Sequence, residues 1–339
     1  MNDIRIVHAL PKEEWRRFVD LNPNGNIFHT PELFEVYTRT KGYEPTLWAA
    51  VNEVGRILVL LLPVRITLRS GLMRYLTTRA VVFGGILWEA GAEGERALTL
   101  LLRNYRLEAD RPPLFTELRN LYEVHSTLSS TFREQGFVYE EHLNYLIDLD
   151  GSPDEIFARI GARTRKNIRR GLNRGEVVVE EVKNCDQIAG CYDLLKKTYR
   201  MAHVPLADYS LFETAFEVLA PKNMIRISRA RVGNACIATS IELVYKDVVY
   251  GWYGGLDRDY GNFMPNELLM WNILQWGSEK GYRVYDFGGA GKPGEKYGVR
   301  DFKSKFGGQL VNFGRYTLIH SPLMFWISKI GYKVVRKLI

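Results

Sequence analysis

The fold is decided by four consecutive stretches: YSLFETAFEVLA (209–220), MIRISRARV (224–232), ACIATSIELVY (235–245) and VVYGWYGGL (248–256). The first stretch carries apolar residues at helical spacing, and the other three are rich in β-branched and aromatic residues. A Gly-Asn pair at 233–234 supplies a turn between the second and third stretches. Together they predict a helix followed by a meander of strands.

The first half of the chain repeats this order. PELFEVYTRT (31–40) predicts a helix, and PTLWAAV (45–51) with RILVLLLPVRI (56–66) predicts a hairpin. The first half continues with a helix (94–108), a strand (114–118) and a further β-rich run (137–149). The second half has the same three elements at 266–280, 282–287 and 309–319. The repetition predicts an internal duplication in a chain of mixed α/β composition.

The join between the halves lies near Asp150. Ser152-Pro153-Asp154-Glu155 combines an N-cap serine, a proline at the first helical position and a glutamate three residues after the cap, which is the pattern of a helix start. We therefore expect an N-terminal domain over 1–150, a C-terminal domain over 151–320 and a tail over 321–339.

Composition excludes several classes of protein. Of the 339 residues, 46% are hydrophobic and 25% charged, and the formal net charge is +7; disordered, collagen-like and coiled-coil chains are thereby excluded. Three cysteines and six scattered histidines predict neither a disulfide framework nor a metal site. The chain shows neither a signal-peptide pattern nor an apolar run of membrane-spanning length, so the expected compartment is the cytoplasm.

A basic segment follows the predicted helix start. Residues 159–174 contain no acidic residue and seven basic ones, namely Arg159, Arg163, Arg165, Lys166, Arg169, Arg170 and Arg174. Ile156, Ile160, Ile168 and Leu172 predict one helix with a single apolar stripe. Like charges three or four residues apart repel by a few tenths of a kcal/mol each, which favours a polyanionic partner. The alternative is a solvated face paired with acids such as Glu180 and Glu181.

A glycine-rich loop, GGAGKPGEKYGVRDFKSKFGG, covers 288–308. Its GxGxxG spacing is not followed by a helix, so it predicts no dinucleotide site. The loop carries five basic residues, Lys292, Lys296, Arg300, Lys303 and Lys305, at the end of a predicted strand, where sites in α/β proteins commonly lie. The alternative is a surface loop anchored by Tyr297, Phe302 and Phe306.

Four stretches carry a resemblance to a known family: NIFHTPELFEVY (26–37), ARTRKNIRRGLNRG (162–175), YDFGG (285–289) and YGVRDFKSKFGGQLVNFGRY (297–316). They resemble the FemA/FemB/FemX group, the peptidoglycan bridge-forming aminoacyltransferases, and their GNAT-like relatives. The resemblance implies two tandem GNAT-like domains with mixed sheets flanked by helices. It also implies transfer of an amino acid from aminoacyl-tRNA to an amine of a peptidoglycan or other cell-envelope precursor.

The resemblance and the chemistry of amide formation together suggest roles for individual residues. Lys303 is the candidate cation for the developing oxyanion or for donor phosphate, and Asp286 is the candidate proton acceptor, its alternative role being a local backbone cap. Candidate contacts to the phosphates of donor and acceptor are Arg163, Arg165, Lys166, Arg169, Arg200, Arg300 and Lys305, with Arg200 assigned to the acceptor. No resident cofactor or metal is expected.

Two departures from the patterns of the related families leave other functions open. RDYGNFMPNELL (258–269) carries Pro265 where acetyl-CoA-dependent GNAT enzymes place a small-residue loop, which disfavours acyl-CoA as donor. Glu35 stands where bridge-forming members carry a basic residue, which leaves the acceptor open. The alternatives are an acyl-CoA-dependent N-acyltransferase acting on an amino sugar or exopolysaccharide precursor, and a non-catalytic nucleic-acid-binding module around residues 159–174.

The tail PLMFWISKIGYKVVRKLI (322–339) is amphipathic. One stripe contains Leu323, Ile327, Ile330, Val334 and Leu338, another contains Lys329, Lys333, Arg336 and Lys337, and Phe325 and Trp326 add aromatic rings. This pattern predicts peripheral contact with a membrane, at the inner face for a cytoplasmic protein. Packing of the helix on its own domain is the alternative.

Overall fold

A computed structural model describes residues 3–67, 71–107 and 112–338, with their side chains except those of residues 72 and 331–338. The chain divides into two compact units. Unit 1 comprises Met1–Glu141 and Phe313–Ile339, and unit 2 comprises His142–Asn312.

Both units contain helices and runs of strands, much as the sequence pattern predicts. The helices are α1 (Lys12–Leu21), α2 (Pro31–Arg39), α3 (Arg74–Thr77), α4 (Ala92–Leu107), α5 (His125–Glu134), α6 (Pro153–Arg159), α7 (Ala162–Arg174), α8 (Cys185–Met201), α9 (Tyr209–Leu219), α10 (Pro265–Glu279), α11 (Gly298–Lys303) and α12 (Pro322–Leu338). The strands are β1 (Arg5–Val7), β2 (Tyr43–Pro45), β3 (Trp48–Val51), β4 (Ile57–Leu61), β5 (Val64–Thr67), β6 (Thr78–Gly84), β7 (Leu87–Trp88), β8 (Phe115–Asn120), β9 (Val138–Glu140), β10 (Leu143–Asp148), β11 (Val178–Glu181), β12 (Ile225–Val232), β13 (Ala235–Tyr245), β14 (Val248–Leu256), β15 (Val284–Gly289), β16 (Gln309–Asn312) and β17 (Arg315–Ile319).

Unit 2 contains one seven-stranded sheet in the order β11-β12-β13-β14-β15-β10-β16. The β14–β15 pair is parallel and the other neighbours are antiparallel. Apolar side chains of α6, α7 and α10, including Ile156, Ile168 and Ile273, pack with Val249 and Tyr285 of the sheet. Burial of this apolar surface supplies the main driving force for folding of the unit.

Unit 1 repeats the seven sheet positions of unit 2. Its strands form two sheets, β1-β3-β4-β7 and β2-β5-β6-β8-β17-β9, because three of its strands are interrupted. When β2 with β3, β4 with β5, and β6 with β7 are each counted as one bent strand, the order becomes β1, β2/β3, β4/β5, β6/β7, β8, β17, β9. The parallel pair, β6 with β8, then occupies the same position as β14 with β15. The predicted tandem fold with mixed sheets is confirmed.

The two sheets exchange strands. β10 directly follows β9 of unit 1 along the chain but lies between β15 and β16 of unit 2. Conversely, β17 follows β16 of unit 2 but lies between β8 and β9 of unit 1. The predicted divisions at 150 and 320 therefore differ from the units of the structure, which place β10 in unit 2 and β17 with α12 in unit 1. The β patterns identify strands but carry no signal for their partners.

The predicted helix start at Ser152 is confirmed, but a single basic helix is wrong. Ser152 and Glu155 form a reciprocal capping box, and α6 then ends at Arg159. Ile160 and Gly161 are extended, and α7 begins at Ala162. The Gly161 amide donates to the Lys305 carbonyl at 2.9 Å, a contact between distant segments that a local apolar stripe does not reveal. Leu172, expected in that stripe, is 57% exposed.

Gly307 offers a test of close packing in unit 2. It has a φ of +79°, and an added Cβ would overlap the carbonyl oxygen of Arg159. Gly281 has the same φ of +79°, but an added Cβ there meets nothing within 4 Å. We expect Gly281→Ala to lower the free energy of unfolding by about 1 kcal/mol and Gly307→Ala by about 2–4 kcal/mol. Urea denaturation followed by circular dichroism measures both; equal losses would contradict the proposed close contact.

Candidate active site

The parallel pair β14–β15 separates partway along its length. Val248, Val249 and Tyr250 pair with Val284, Tyr285 and Asp286. Beyond Tyr250 and Asp286, within the described residues, β14 continues to pair with β13 and β15 continues to pair with β10. The opening between β14 and β15 beyond this point is called the fork. Backbone N–H and C=O groups along its edges lack a sheet partner across it and must bond elsewhere.

Glycine is required at the start of the fork. Gly288 has a φ of +67°, and an added Cβ there would lie 3.0 Å from the Tyr250 hydroxyl. On the other strand, a Cβ on Gly251 would lie 2.7 Å from the Tyr285 hydroxyl. Both strands therefore run close to tyrosine hydroxyl groups where they part.

Asp286 is the last residue of β15 that pairs with β14 and is 4% exposed. Its Oδ1 accepts a hydrogen bond from the Gly288 amide at 2.6 Å and one from Asn144 Nδ2 at 3.5 Å. Burial raises the pKa of Asp286 to about 6, against the lowering effects of the Gly288 amide, the Lys303 charge and Asn144. The carboxyl group is therefore able to exchange a proton near neutral pH.

Lys303 ends α11 and is 7% exposed. Its ammonium donates to the carbonyl oxygens of Phe287, Gly288 and Gly289, at 2.6, 3.3 and 2.8 Å. Burial lowers the pKa of Lys303 to about 8, and the charge of Asp286 opposes this effect. Both members of the sequence-predicted catalytic pair thus bond the backbone of Gly288, since Asp286 accepts from its N–H and Lys303 donates to its C=O.

The loop after β15 is closed by Arg300. Its Nε donates to Ala290 O at 2.7 Å, its Nη1 to Glu295 O at 3.2 Å, and its Nη2 to Lys292 O. All three guanidinium nitrogens therefore hold main-chain carbonyls of the loop. Lys305 is exposed, with its ammonium 5.8 Å from the ring centre of Phe302.

The predicted phosphate ligands of α7 fall into two groups. Arg165 donates through Nη1 to the carbonyls of Ala158 and Ile160 and so ties α7 to the end of α6. Arg169 is exposed and lies 5.2 Å over the Phe157 ring. The side chains of Arg163 and Lys166 are exposed and make neither a hydrogen bond nor an ion pair with the described residues. The same is true of the side chain of Arg200, on α8.

The acidic pair considered as a partner for this basic segment is engaged elsewhere. Glu180 bonds Arg229 and Arg231, at 2.6 and 2.9 Å. Glu181 pairs with Lys183 at 3.0 Å and lies 3.8 Å from Arg226. The basic surface of α7 is therefore not neutralised by these two glutamates.

Sequence reasoning missed two polar residues near the fork. Asn144 reaches Asp286 from β10. Glu242, on β13, is fully buried and accepts a hydrogen bond from the Ser240 hydroxyl. In the sheet it lies opposite Gly251 of β14 on one side and Arg226 of β12 on the other. Burial raises the pKa of Glu242 to about 7. A glutamate inside the apolar run SIELVY is the sequence signal that could have identified it.

Comparison with known proteins identifies the region that contains the fork. Residues 161–304 match the family model described as an acetyltransferase (GNAT) domain. This range begins at the N-cap of α7 and extends just past Lys303, so it includes both Asp286 and Lys303.

The lipid II:glycine glycyltransferase of Staphylococcus haemolyticus strain JCSC1435 is 35% identical over 93 residues, which are 26% of this chain and 22% of that protein. The chain thus matches about a fifth of the length of this curated relative. Among solved structures, FemX has a TM-score of 0.73 at 16% identity and covers 96% of this chain and 100% of its own. A tandem GNAT protein of clavulanic acid biosynthesis has a TM-score of 0.60 at 12% identity, with coverages of 94% and 99%.

These matches confirm the resemblance to the FemA/FemB/FemX group that the sequence motifs suggested. The similarity to FemX and to the clavulanic acid protein establishes the architecture of the whole chain. The match of residues 161–304 to the acetyltransferase (GNAT) domain model and the two structural similarities together show that the chain has a tandem GNAT fold.

Proposed function

We propose that this protein is an aminoacyltransferase that moves an amino acid from an aminoacyl-tRNA to a primary amine of a peptidoglycan or related cell-envelope precursor. The observation that carries the proposal is the buried Asp286–Lys303 pair at the fork, inside a GNAT domain. Curated relatives named lipid II:glycine glycyltransferase support the class of acceptor. In this proposal donor and acceptor are both substrates, and the reaction requires neither a resident cofactor nor a metal.

The chemistry follows from the charges at the fork. The acceptor amine attacks the ester carbonyl carbon of the donor, a C–N bond forms, and the C–O bond to the ribose oxygen breaks. Asp286, as carboxylate, accepts the proton that the attacking amine loses, and this proton passes on to the leaving ribose oxygen. Lys303 supplies a fixed positive charge, held by three carbonyls, that stabilises the oxyanion developing on the ester.

We assign the donor's phosphates to the exposed cations of α7. Arg163, Lys166 and Arg169 are proposed to contact tRNA phosphates, and Lys305 is added from the loop. Arg200 is proposed to contact acceptor phosphate. Arg165 and Arg300 donate to main-chain carbonyls, so we assign them to holding the α6–α7 junction and the loop that position the other residues. Because aminoacyl-tRNA is a cytoplasmic metabolite, the proposed reaction is cytoplasmic.

The second candidate is acyl-CoA-dependent N-acylation of an amino sugar or exopolysaccharide precursor, which the GNAT family match favours. The start of α10 is poorly suited to a pyrophosphate. Pro265 lacks an N–H at the first helical position, directly after the N-cap Met264. Fewer amide groups are therefore free to bind an anion at this helix end than at one without proline.

Donor binding separates these candidates. We expect saturable binding of bulk aminoacyl-tRNA that weakens steeply with salt, and no saturable binding of acetyl-CoA. Replacing Arg163 and Lys166 together by alanine should reduce the slope of log affinity against log salt by about 1 to 2, because two phosphate contacts are lost. Lys280→Ala, at the exposed end of α10, is the control and should leave the slope unchanged. Saturable binding of acetyl-CoA alone would overturn the tRNA donor.

Removal of the buried cation tests the proposed site. We expect Lys303→Ala to lower turnover by at least about 100-fold, because the developing oxyanion loses a preorganised positive charge. The measurement is amide formation under single-turnover conditions, with circular dichroism to confirm that the variant is folded. Lys280→Ala should retain full turnover. Full activity in a folded Lys303→Ala protein would remove Lys303 from the mechanism.

The pH dependence of kcat/KM follows from the two shifted groups. Asp286 is in its ionised form above its pKa of about 6, and Lys303 is protonated below its pKa of about 8. Activity should therefore rise with pH through about 6 and fall through about 8. In Asp286→Asn the residual activity should lose the acidic limb. An unchanged acidic limb in that variant would show that another group is responsible for it.

A further inference from the structure

The C-terminal helix is only partly covered by its own unit. Phe325 packs against Phe115 of β8, with ring centres 5.3 Å apart, and the Ser328 hydroxyl donates to the Leu76 carbonyl at 2.7 Å. These contacts fix one face of α12 on α3 and the sheet of unit 1. This face of the tail therefore packs on its own unit, which is the alternative that the sequence left open.

The opposite face of α12 is exposed and apolar. Leu323, Trp326, Ile327 and Ile330 follow the spacing i, i+3, i+4 and i+7, which places them in one helical stripe. Leu323 is 67% exposed and Trp326 62%, and the two isoleucines are exposed as well. Val334, Leu338 and the basic residues Lys333, Arg336 and Lys337 of the predicted stripes lie outside the described side chains.

A second element extends this surface. Met73, the N-cap of α3, and Tyr75, within α3, are exposed large apolar residues, and α12 packs against this helix. Together, Met73, Tyr75, Leu323, Trp326, Ile327 and Ile330 are called the α3–α12 surface. Soluble monomers seldom expose so many large apolar side chains together, and such patches mark contact with a partner or a membrane.

The charge of these elements identifies the kind of partner. The sequence of α12 contains four basic residues and no acidic one, and Arg74 of α3 is also exposed. Lys329 lies 4.7 Å over the Phe325 ring, at the side of the apolar stripe. An apolar stripe that contains tryptophan and is flanked by cations matches an anionic bilayer surface. There the acyl chains contact the apolar side chains and the anionic headgroups contact the basic side chains.

We propose that the α3–α12 surface docks this protein on anionic lipid, with α12 lying in the plane of the membrane interface. Within the described residues no helix is both long and apolar enough to cross a bilayer. The apolar side chains of the surface enter the boundary between headgroups and acyl chains. This inference goes beyond the proposed transferase activity, and its test uses neither donor nor acceptor, so the two can fail separately.

The experiment is sedimentation of the full-length protein with vesicles of phosphatidylcholine containing phosphatidylglycerol, compared with phosphatidylcholine alone. We expect binding to the anionic vesicles that weakens as salt rises from 0.1 M to 1 M, because screening shortens the reach of the basic residues. Leu323→Ser and Trp326→Ser should each weaken binding by about tenfold, because each removes one large apolar side chain from the bilayer. Neither substitution should alter the unfolding temperature much, since both side chains are exposed.

The matched control is Leu21→Ser, which makes the same change at a residue of α1 that is 73% exposed and outside the surface; it should bind as the unaltered protein does. Three results would overturn the proposal: no binding to anionic vesicles, equal binding to both vesicle types in high and low salt, or equal losses in Leu323→Ser and Leu21→Ser. Binding to protein-containing membranes but not to pure lipid would likewise reject lipid docking and assign the surface to a protein partner.

Discussion

The bonds from the Lys303 ammonium to three successive carbonyls maintain the fork between β14 and β15. Where two strands part inside a protein, their backbone groups lose partners, and each unmade bond is costly. One lysine supplies donors to Phe287, Gly288 and Gly289. Its own burial is unfavourable, and the nearby carboxylate of Asp286 offsets part of that cost. The geometry of the fork and the titration of its two charged groups thus depend on each other.

Local signals along the chain were sufficient to locate most elements. The capping box of Ser152 and Glu155 is a local pattern, and it appears where expected. The sequence pattern does not predict the break between α6 and α7, where Gly161 bonds the Lys305 carbonyl, which lies far away in sequence. Apolar periodicity reports which face is buried but not which distant backbone approaches it.

The same distinction applies to the site. The sequence singled out the basic loop residues by type but could not assign their partners. Arg300 and Lys303 lie three residues apart, yet Arg300 bonds the carbonyls of its own loop while Lys303 is buried against β15. Lys303 is flanked by Phe302 and Phe306, whose rings lie 5.1 Å apart. Because these two rings pack together, the lysine between them in sequence lies in the interior, where its charge acts in a medium of low polarity.

Duplication and strand exchange explain why the site draws on both halves of the sequence. Each sheet holds an inner strand that comes from the other half, β10 in unit 2 and β17 in unit 1. A boundary drawn at residue 150 would separate β10 from the rest of unit 2, including the fork. Asn144, which donates to Asp286, lies on that exchanged strand. The buried carboxyl group therefore depends on a residue that precedes the GNAT match over 161–304, and unit 2, which starts at His142, begins earlier in the chain than the matched region.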